Sequence, residues 1–202
     1  MIEGIDVCKS FQDISLFSNF SFTINNGEFV CFSGESGKGK TTLLNMIGQI
    51  EPLTSGKILY DGKEIITNRD RICFFKNKVG FVFQNFALVE NKTVEQNLML
   101  VQRKNRDNIS IDEALEKVGL KNKRKSRIFT LSGGEQQRVA LARLFIKKCD
   151  LILADEPTGS LDSRNAQIIM NILKELNNYG KTIILVTHDA LAKEKCDRII
   201  EL

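Results

Sequence analysis

Disulfide and zinc-binding cysteine patterns are missing from this chain of 202 residues. Its 5 cysteines are odd in number, scattered and without a C-x-x-C pair: Cys8, Cys31, Cys73, Cys149 and Cys196. Because disulfide frameworks and structural zinc sites both need closely patterned cysteines, this pattern argues against both. We expect reduced thiols, as in a cytosolic protein.

Long apolar runs are missing as well. No run approaches the roughly 20 residues that span a bilayer, and the N-terminus lacks the basic region and apolar stretch of a signal peptide. We therefore expect any membrane-spanning part of a complex to belong to another chain. The formal net charge of +4 is modest, and by itself it does not indicate a nucleic-acid partner.

The chain does contain a glycine-rich loop between an apolar run and a helical run. Residues 34–41 match the pattern G-x-x-x-x-G-K-[ST], in which glycines let backbone N–H groups surround phosphate oxygens. Lys40 is expected to reach the β- and γ-phosphates, and the Thr41 hydroxyl to hold Mg²⁺. The pattern predicts a nucleoside triphosphate site, whose phosphate-binding residues are Gly34, Glu35, Ser36, Gly37, Lys38, Gly39, Lys40, Thr41 and Thr42.

Alternating apolar residues before this loop predict an antiparallel hairpin. Phe20, Phe22 and Ile24 alternate with small polar residues, which is typical of a half-buried strand. The turn 25–27 is followed by the run 28–32, which we interpret as the second strand of the hairpin.

Residues 85–130 differ from the rest of the chain because they are polar and helix-rich, with no buried-strand pattern. We therefore predict one domain, 1–202, with a catalytic core at about 1–84 and 131–202 and a helical subdomain at about 85–130. Within the subdomain, the basic run 121–127 is interpreted as a solvated loop. The alternative is contact with anionic lipid headgroups.

Four apolar strands are each followed by polar residues. Their predicted ranges are 29–32, 79–83, 151–154 and 182–186. In an open parallel sheet, ligands bind outside the carboxyl ends of the strands, so the polar residues that follow should share one site with the glycine loop.

The chemistry of these residues suggests their roles. Asp155 can hold Mg²⁺ and Glu156 can polarise the attacking water, unless the two carboxylates only cap a helix. Gln84 can reach the metal or that water. His188, the single histidine, can contact the γ-phosphate and help hold the water or Glu156; the alternative is a histidine merely hydrogen-bonded at a strand end.

A second glycine-containing stretch predicts another anion site. Ser132 and Glu135 have the spacing of a capping box, and Gly133 and Gly134 expose backbone at a helix start. The alternative is a flexible turn before a helix. Since one triphosphate needs only one such cradle, two cradles per chain predict a head-to-tail homodimer that encloses two nucleotides.

Together these stretches resemble the ATP-binding cassette (ABC) ATPases. The resemblance implies the P-loop ABC ATPase fold, α/β, with a mostly parallel core sheet, an N-terminal antiparallel β subdomain and a helical subdomain. It implies that Ser132, Gly133, Gly134 and Glu135 touch the other subunit's ATP and that 160–162, including Asp162, cross the dimer interface. It also implies that Phe11 stacks on adenine, although from the residue pattern alone we expect Phe11 in the core.

Residues 79–86, 154–163 and 186–189 resemble the lipoprotein-release and macrolide-export group, which includes antimicrobial-peptide (bacteriocin) export. The resemblance implies an ATPase that uses ATP and Mg²⁺, lies in the cytoplasm on the inner face of the cell membrane, and powers a permease on a separate chain, without nucleic acid. Lys38 departs from the small residue usual in the family, so it is included with the loop only by its position in the pattern and no specific contact is assigned to it. Alternative functions are a non-transport ABC ATPase, a small P-loop kinase and a nucleotide-gated scaffold of a membrane complex.

Overall fold

A computed structural model describes residues 1–12, 14–159 and 161–202. Its strands are β1 (Ile2–Phe11), β2 (Ile14–Ile24), β3 (Phe29–Ser33), β4 (Ser55–Tyr60), β5 (Lys63–Glu64), β6 (Val79–Val82), β7 (Leu151–Asp155), β8 (Thr182–Val186) and β9 (Arg198–Glu201). Its α-helices are α1 (Lys40–Ile47), α2 (Asn68–Asn77), α3 (Val94–Leu98), α4 (Ile111–Lys117), α5 (Gly133–Ile146), α6 (Ser163–Asn178) and α7 (Ala190–Lys193).

A parallel sheet forms the centre of the molecule, in the strand order β6-β7-β8-β3-β9. Every residue of β3 and of β8 is buried, as expected for continuous apolar strands covered on both faces. The register pairs Phe32 with Val186 and Asp155 with Val186. The carboxyl ends of these strands therefore lie side by side, which confirms the predicted convergence of their polar residues.

The predicted hairpin between residues 20–24 and 28–32 is wrong. The turn exists, with the Glu28 N–H donating to the Asn25 carbonyl at 3.2 Å, but it connects two different sheets. Instead, β2 pairs antiparallel with β1, Ile2 lying opposite Ile24, in a second sheet of order β2-β1-β4-β5. The physical reason is burial, because β3 is covered on both faces and takes its neighbours from the parallel sheet.

The segment 85–130 is helical, as predicted, and packs on the core through buried apolar residues. It contains α3, α4 and short 3₁₀ turns at Arg103–Asn105, Lys121–Lys123 and Ile128–Thr130. Its buried side chains include Val94, Leu98, Leu115, Leu120 and Ile128, which join one apolar cluster with α5 and the parallel sheet. The division of the chain into core and subdomain stays a prediction.

The basic run 121–127 takes part in ion pairs within the protein. Lys121 pairs with Glu116 at 3.1 Å, and Arg124 pairs with both Asp112 and Glu95. Arg124 therefore connects the run to α3 and α4, which a freely solvated loop would not do.

None of the helices in the described part of the chain has the length and apolar character that a membrane crossing requires.

Candidate functional site

The glycine loop connects the end of β3 to the first turn of α1. Gly37 and Gly39 have φ angles of 86° and 81°, a left-handed conformation that favours glycine. The Lys40 ammonium donates to the carbonyls of Gly34 at 2.9 Å and Glu35 at 2.8 Å. Lys40 therefore lies across the same loop in which it is predicted to bind phosphates.

Two predicted metal ligands are in direct contact. The Thr41 hydroxyl donates to Asp155 Oδ1 at 2.9 Å, across the gap between α1 and the end of β7. Burial raises the pKa of Asp155 above its ordinary value, and the hydrogen bond from Thr41 offsets part of that effect.

A hydroxyl and a carboxylate are the hard oxygen donors that Mg²⁺ prefers, so this pair fits that ion. In the described residues, no group of three or more His, Cys, Asp or Glu side chains could hold a metal by itself. A Mg²⁺ ion here would therefore depend on phosphate oxygens and water for its remaining ligands, as is usual where it accompanies a nucleotide.

Glu156 follows β7 and is held by the end of β8. Its N–H donates to the Val186 carbonyl at 2.9 Å, and its carboxylate oxygens contact the Thr187 hydroxyl at 3.0 Å and His188 Nδ1 at 2.8 Å. Its φ of 43° is left-handed for a non-glycine residue, which costs of the order of 1–3 kcal/mol and persists only where the surroundings fix it. Such strain is typical of functional positions.

His188 makes the expected contact with Glu156 but remains accessible. Its side chain is 76% exposed, against 17% for Glu156. The imidazole can therefore turn toward a bound phosphate without disturbing packing, while Glu156 cannot move as freely. Contact between His188 and the γ-phosphate stays a prediction.

Gln84 lies in the turn after β6, close to the loop that follows β7. Its side-chain nitrogen is 3.6 Å from the position that a Cβ on Gly159 would occupy. In the part of the chain that the structure describes, no hydrogen bond joins it to Thr41, Asp155 or Glu156. Gln84 therefore lies near the site, and among the described residues it makes no hydrogen bond to the predicted metal ligands.

The second glycine stretch is a well-formed helix start rather than a flexible turn. The Glu135 N–H donates to Ser132 Oγ at 3.3 Å and the Ser132 N–H donates to Glu135 Oε2 at 2.9 Å, which confirms the capping box. The Ser132 N–H lowers the pKa of Glu135, and nearby Lys123 adds to the effect. Helix α5 begins at Gly133, directly after its N-cap Ser132.

Asp162 is the N-cap of α6. Its Oδ1 accepts from the Asn165 N–H at 2.9 Å and its Oδ2 accepts from the Asn165 side-chain amide at 2.7 Å. These bonds lower the pKa of Asp162. Its place at a dimer interface stays a prediction, and Ser160 of the same predicted loop lies outside the described residues.

Phe11, at the end of β1, is not a core residue, so the expectation drawn from the residue pattern is wrong. It is 46% exposed, and the Lys9 ammonium lies 4.4 Å from its ring centroid. An exposed ring beside a cation suits stacking better than packing.

Lys38 is also exposed, and its backbone N–H donates to the Glu35 carbonyl at 3.3 Å.

Sequence reasoning gave no role to two buried polar residues of this region. Thr187 is fully buried and bonds to Glu156. Gln137, also fully buried, donates from Nε2 to the Pro157 carbonyl at 2.9 Å, and so connects α5 to the loop after β7. The sequence signals that could have found them are their neighbours, because Thr187 directly precedes His188 and Gln137 lies two residues after Glu135.

Comparison with known proteins gives consistent matches. Residues 17–159 match the family model described as ABC transporter. The chain is 37% identical to the macrolide export ATP-binding/permease protein MacB of Campylobacter jejuni, over 98% of this chain and 32% of that protein. It is 40% identical to the lipoprotein-releasing system ATP-binding protein LolD of Leptospira interrogans, over 100% of this chain and 88% of that one.

The chain thus spans about a third of the length of the first curated relatives that it matches. Among solved structures, it is similar to the dimeric ATP-binding cassette MJ0796 in a post-hydrolysis state bound to ADP and Pi. The TM-score is 0.85 and the identity 34%, covering 100% of this chain and 94% of that one.

Proposed function

This chain belongs to the ABC transporter family, and we propose that it works as a head-to-tail homodimer whose ATP hydrolysis powers a membrane permease on a separate chain. It has the family's ATPase fold, and the structural relative with ADP and Pi supports hydrolysis. The observation that carries the proposal is the meeting of Lys40, Thr41, Asp155, Glu156 and His188 at one edge of the parallel sheet.

Four of these residues bind the nucleotide or the metal or act on the water, and His188 is expected to contact the γ-phosphate. Lys40 exchanges the carbonyls of Gly34 and Glu35 for phosphate oxygens, and Thr41 and Asp155 hold Mg²⁺. The ion, when bound, supplies positive charge that stabilises the charge developing on the phosphates. Glu156 accepts the proton of the water that attacks the γ-phosphorus, as the bond to ADP breaks.

The start of α5 supplies the second half of the site in our proposal. Ser132 and Glu135 satisfy each other through the capping box, while the helix start remains an anion-binding end. Among the described residues, no hydrogen bond joins this helix start to the chain's own glycine loop. A second copy could therefore bring its α5 to the nucleotide, and the dimeric cassette relatives support that arrangement.

An apolar groove is a candidate contact for the permease. A cavity of about 440 Å³ lies between the helical segment and the core, lined by Phe81, Phe83, Leu100, Val101, Arg143 and Lys147. Leu100 is 48% exposed. A groove with an apolar floor and three basic residues in its lining, Lys76, Arg143 and Lys147, suits an amphipathic helix.

We infer that the activity serves export or force transmission to the outside of the membrane, acting on a peptide, a lipoprotein or a drug. The names that support this direction are those of a macrolide exporter and a lipoprotein-releasing system. Identifying the membrane protein that copurifies with the chain would test it. A partner with a large extracellular domain supports the proposal, and a partner with a substrate-binding protein for uptake contradicts it.

The dimer is tested with Glu156→Gln, which keeps the shape of the side chain but cannot accept the proton. We expect this variant to bind MgATP without hydrolysing it and to form a dimer, measured as doubled mass by light scattering. Glu64→Gln, on exposed strand β5, is the matched control and should hydrolyse ATP normally. A Glu156→Gln protein that stays monomeric with MgATP refutes the dimer, and one that retains normal turnover refutes the role of Glu156.

A further inference from the structure

We propose that Thr187 is a positioning residue for hydrolysis, whose buried hydroxyl holds the Glu156 carboxylate in place while His188 is the partner that leaves. The inference rests on the proposed role of Glu156 as the proton acceptor. Two adjacent residues after β8 then have different roles. Thr187 keeps its contact with Glu156, and His188 exchanges its contact for the phosphate.

Three successive residues at the end of β8 hold Glu156. The Val186 carbonyl accepts from the Glu156 N–H at 2.9 Å. The Thr187 hydroxyl donates to Oε2 at 3.0 Å, and His188 Nδ1 lies 2.8 Å from Oε1. Each carboxylate oxygen therefore has one partner, and both partners come from the same short stretch.

The Thr187 hydroxyl is itself fixed in direction. Thr187 is fully buried, and its oxygen accepts from the Asp189 N–H at 3.1 Å. A hydroxyl has a single hydrogen, which Thr187 donates to Glu156 Oε2, while a lone pair of the same oxygen accepts from Asp189. Asp189 is held in turn as the N-cap of α7, its Oδ1 accepting from the Leu191 N–H at 3.0 Å.

The His188 contact differs because its side chain is 76% exposed. When His188 turns toward a phosphate, Oε1 of Glu156 becomes available for a water molecule, while Oε2 stays bound to Thr187. The carboxylate then presents one defined oxygen rather than rotating between two orientations. Because a misplacement of about 1 Å can cost about 100-fold in rate, losing this restraint should slow the chemical step and leave nucleotide binding intact.

The test compares Thr187→Val, which removes the hydroxyl at nearly constant shape, with Thr187→Ser, which keeps it. Thr182→Val is the matched control, because Thr182 is buried at the other end of β8 and its hydroxyl accepts from the Gly27 N–H at 2.9 Å. We expect Thr187→Val to lower kcat by about 10- to 100-fold with KM for ATP changed less than about twofold. Thr187→Ser should restore most of kcat, and Thr182→Val should leave it unchanged.

Three outcomes overturn the proposal: normal turnover in Thr187→Val, a loss in Thr187→Ser equal to that in Thr187→Val, or an equal loss in Thr182→Val. If Thr187→Val does not fold, Thr187→Ala provides the same comparison. In a Glu156→Gln background, Thr187→Val should cause no further loss of single-turnover hydrolysis, since Thr187 acts through the carboxylate. A normal rate in Glu156→Gln alone would instead refute the base, whatever Thr187 does.

Discussion

The two adjacent glycines at the start of α5 should respond in opposite ways to the same substitution. Gly134 faces the N-terminus of α6, where an added Cβ would lie 2.5 Å from Asn165 Oδ1 and 2.7 Å from its Cγ. At Gly133 the nearest atom to an added Cβ is 3.6 Å away, on Phe86. Gly134→Ala therefore overlaps with a neighbour, and Gly133→Ala fits.

The size of the effect depends on whether Asn165 can move. Its side chain donates to Asp162 at 2.7 Å and accepts from Arg138 at 3.0 Å, so moving it breaks both contacts. Overpacking of this kind costs about 1–3 kcal/mol, against a gain of up to about 1 kcal/mol when alanine replaces glycine in a helix. We expect Gly134→Ala to lower the free energy of unfolding by about 1–2 kcal/mol and Gly133→Ala to leave it equal or slightly higher.

Urea unfolding of the isolated chain measures this difference, and thermal unfolding should show a shift in Tm of about 2–4 °C for each kcal/mol in a domain of this size. Gly133→Ala should still impair ATP-driven dimerisation, because Gly133 belongs to the predicted phosphate-facing end of α5. Equal stability of the two variants would show that Asn165 moves freely, and the packing argument would be refuted.

Two further predictions concern carboxylates of the site. The pKa of Glu135 is lowered in the folded protein. Its contribution to stability is therefore present above the ordinary glutamate pKa and disappears as the pH falls through the folded-state pKa. We expect Glu135→Ala to lose less stability than the unmodified protein between neutral and acid pH, measured by the midpoints of urea unfolding. Since burial raises the pKa of Asp155, its charge opposes folding at neutral pH. We expect Asp155→Asn to raise the unfolding midpoint while abolishing the Mg²⁺ dependence of ATP binding in a fluorescent-nucleotide titration, and an unchanged Mg²⁺ dependence would contradict Asp155 as a ligand.

The parallel sheet could be predicted because its strands are short, continuous apolar runs, each followed by polar residues. The hairpin assignment failed for a non-local reason. The turn at 25–27 has the same local chemistry whether the next strand returns alongside β2 or enters another sheet. Only the complete burial of β3 and its pairing with β8 and β9 decide between these, and neither is visible in a short window of sequence.

The geometry of the candidate site was predictable where residues interact within one motif, as in the capping box of Ser132 and Glu135. The roles of Lys40 and Thr41 toward a nucleotide stay predictions. Phe11 was placed in the core because an aromatic at a strand end has no local marker of exposure. Thr187 received no role because its importance depends on one contact with Glu156, 31 residues earlier in the chain. The hydroxyl of Thr187 reaches Glu156 because β7 and β8 are neighbours in the sheet, and residue spacing in the sequence does not predict that pairing.

The reactive groups of the candidate site are hydrogen-bonded to one another or to their own loop. Lys40 binds carbonyls of its own loop, Thr41 binds Asp155, and Glu156 binds His188. We expect bound ATP to replace each of these contacts with contacts to its phosphates, its metal ion or the water. Part of its binding free energy then offsets the cost of breaking the original contacts. In our proposal the His188 contact occupies the Glu156 oxygen that would face the water, and the γ-phosphate is the group expected to draw His188 away. ADP lacks that group, so we expect Glu156 to be covered again after each hydrolysis, which favours one turnover for each closure of the dimer.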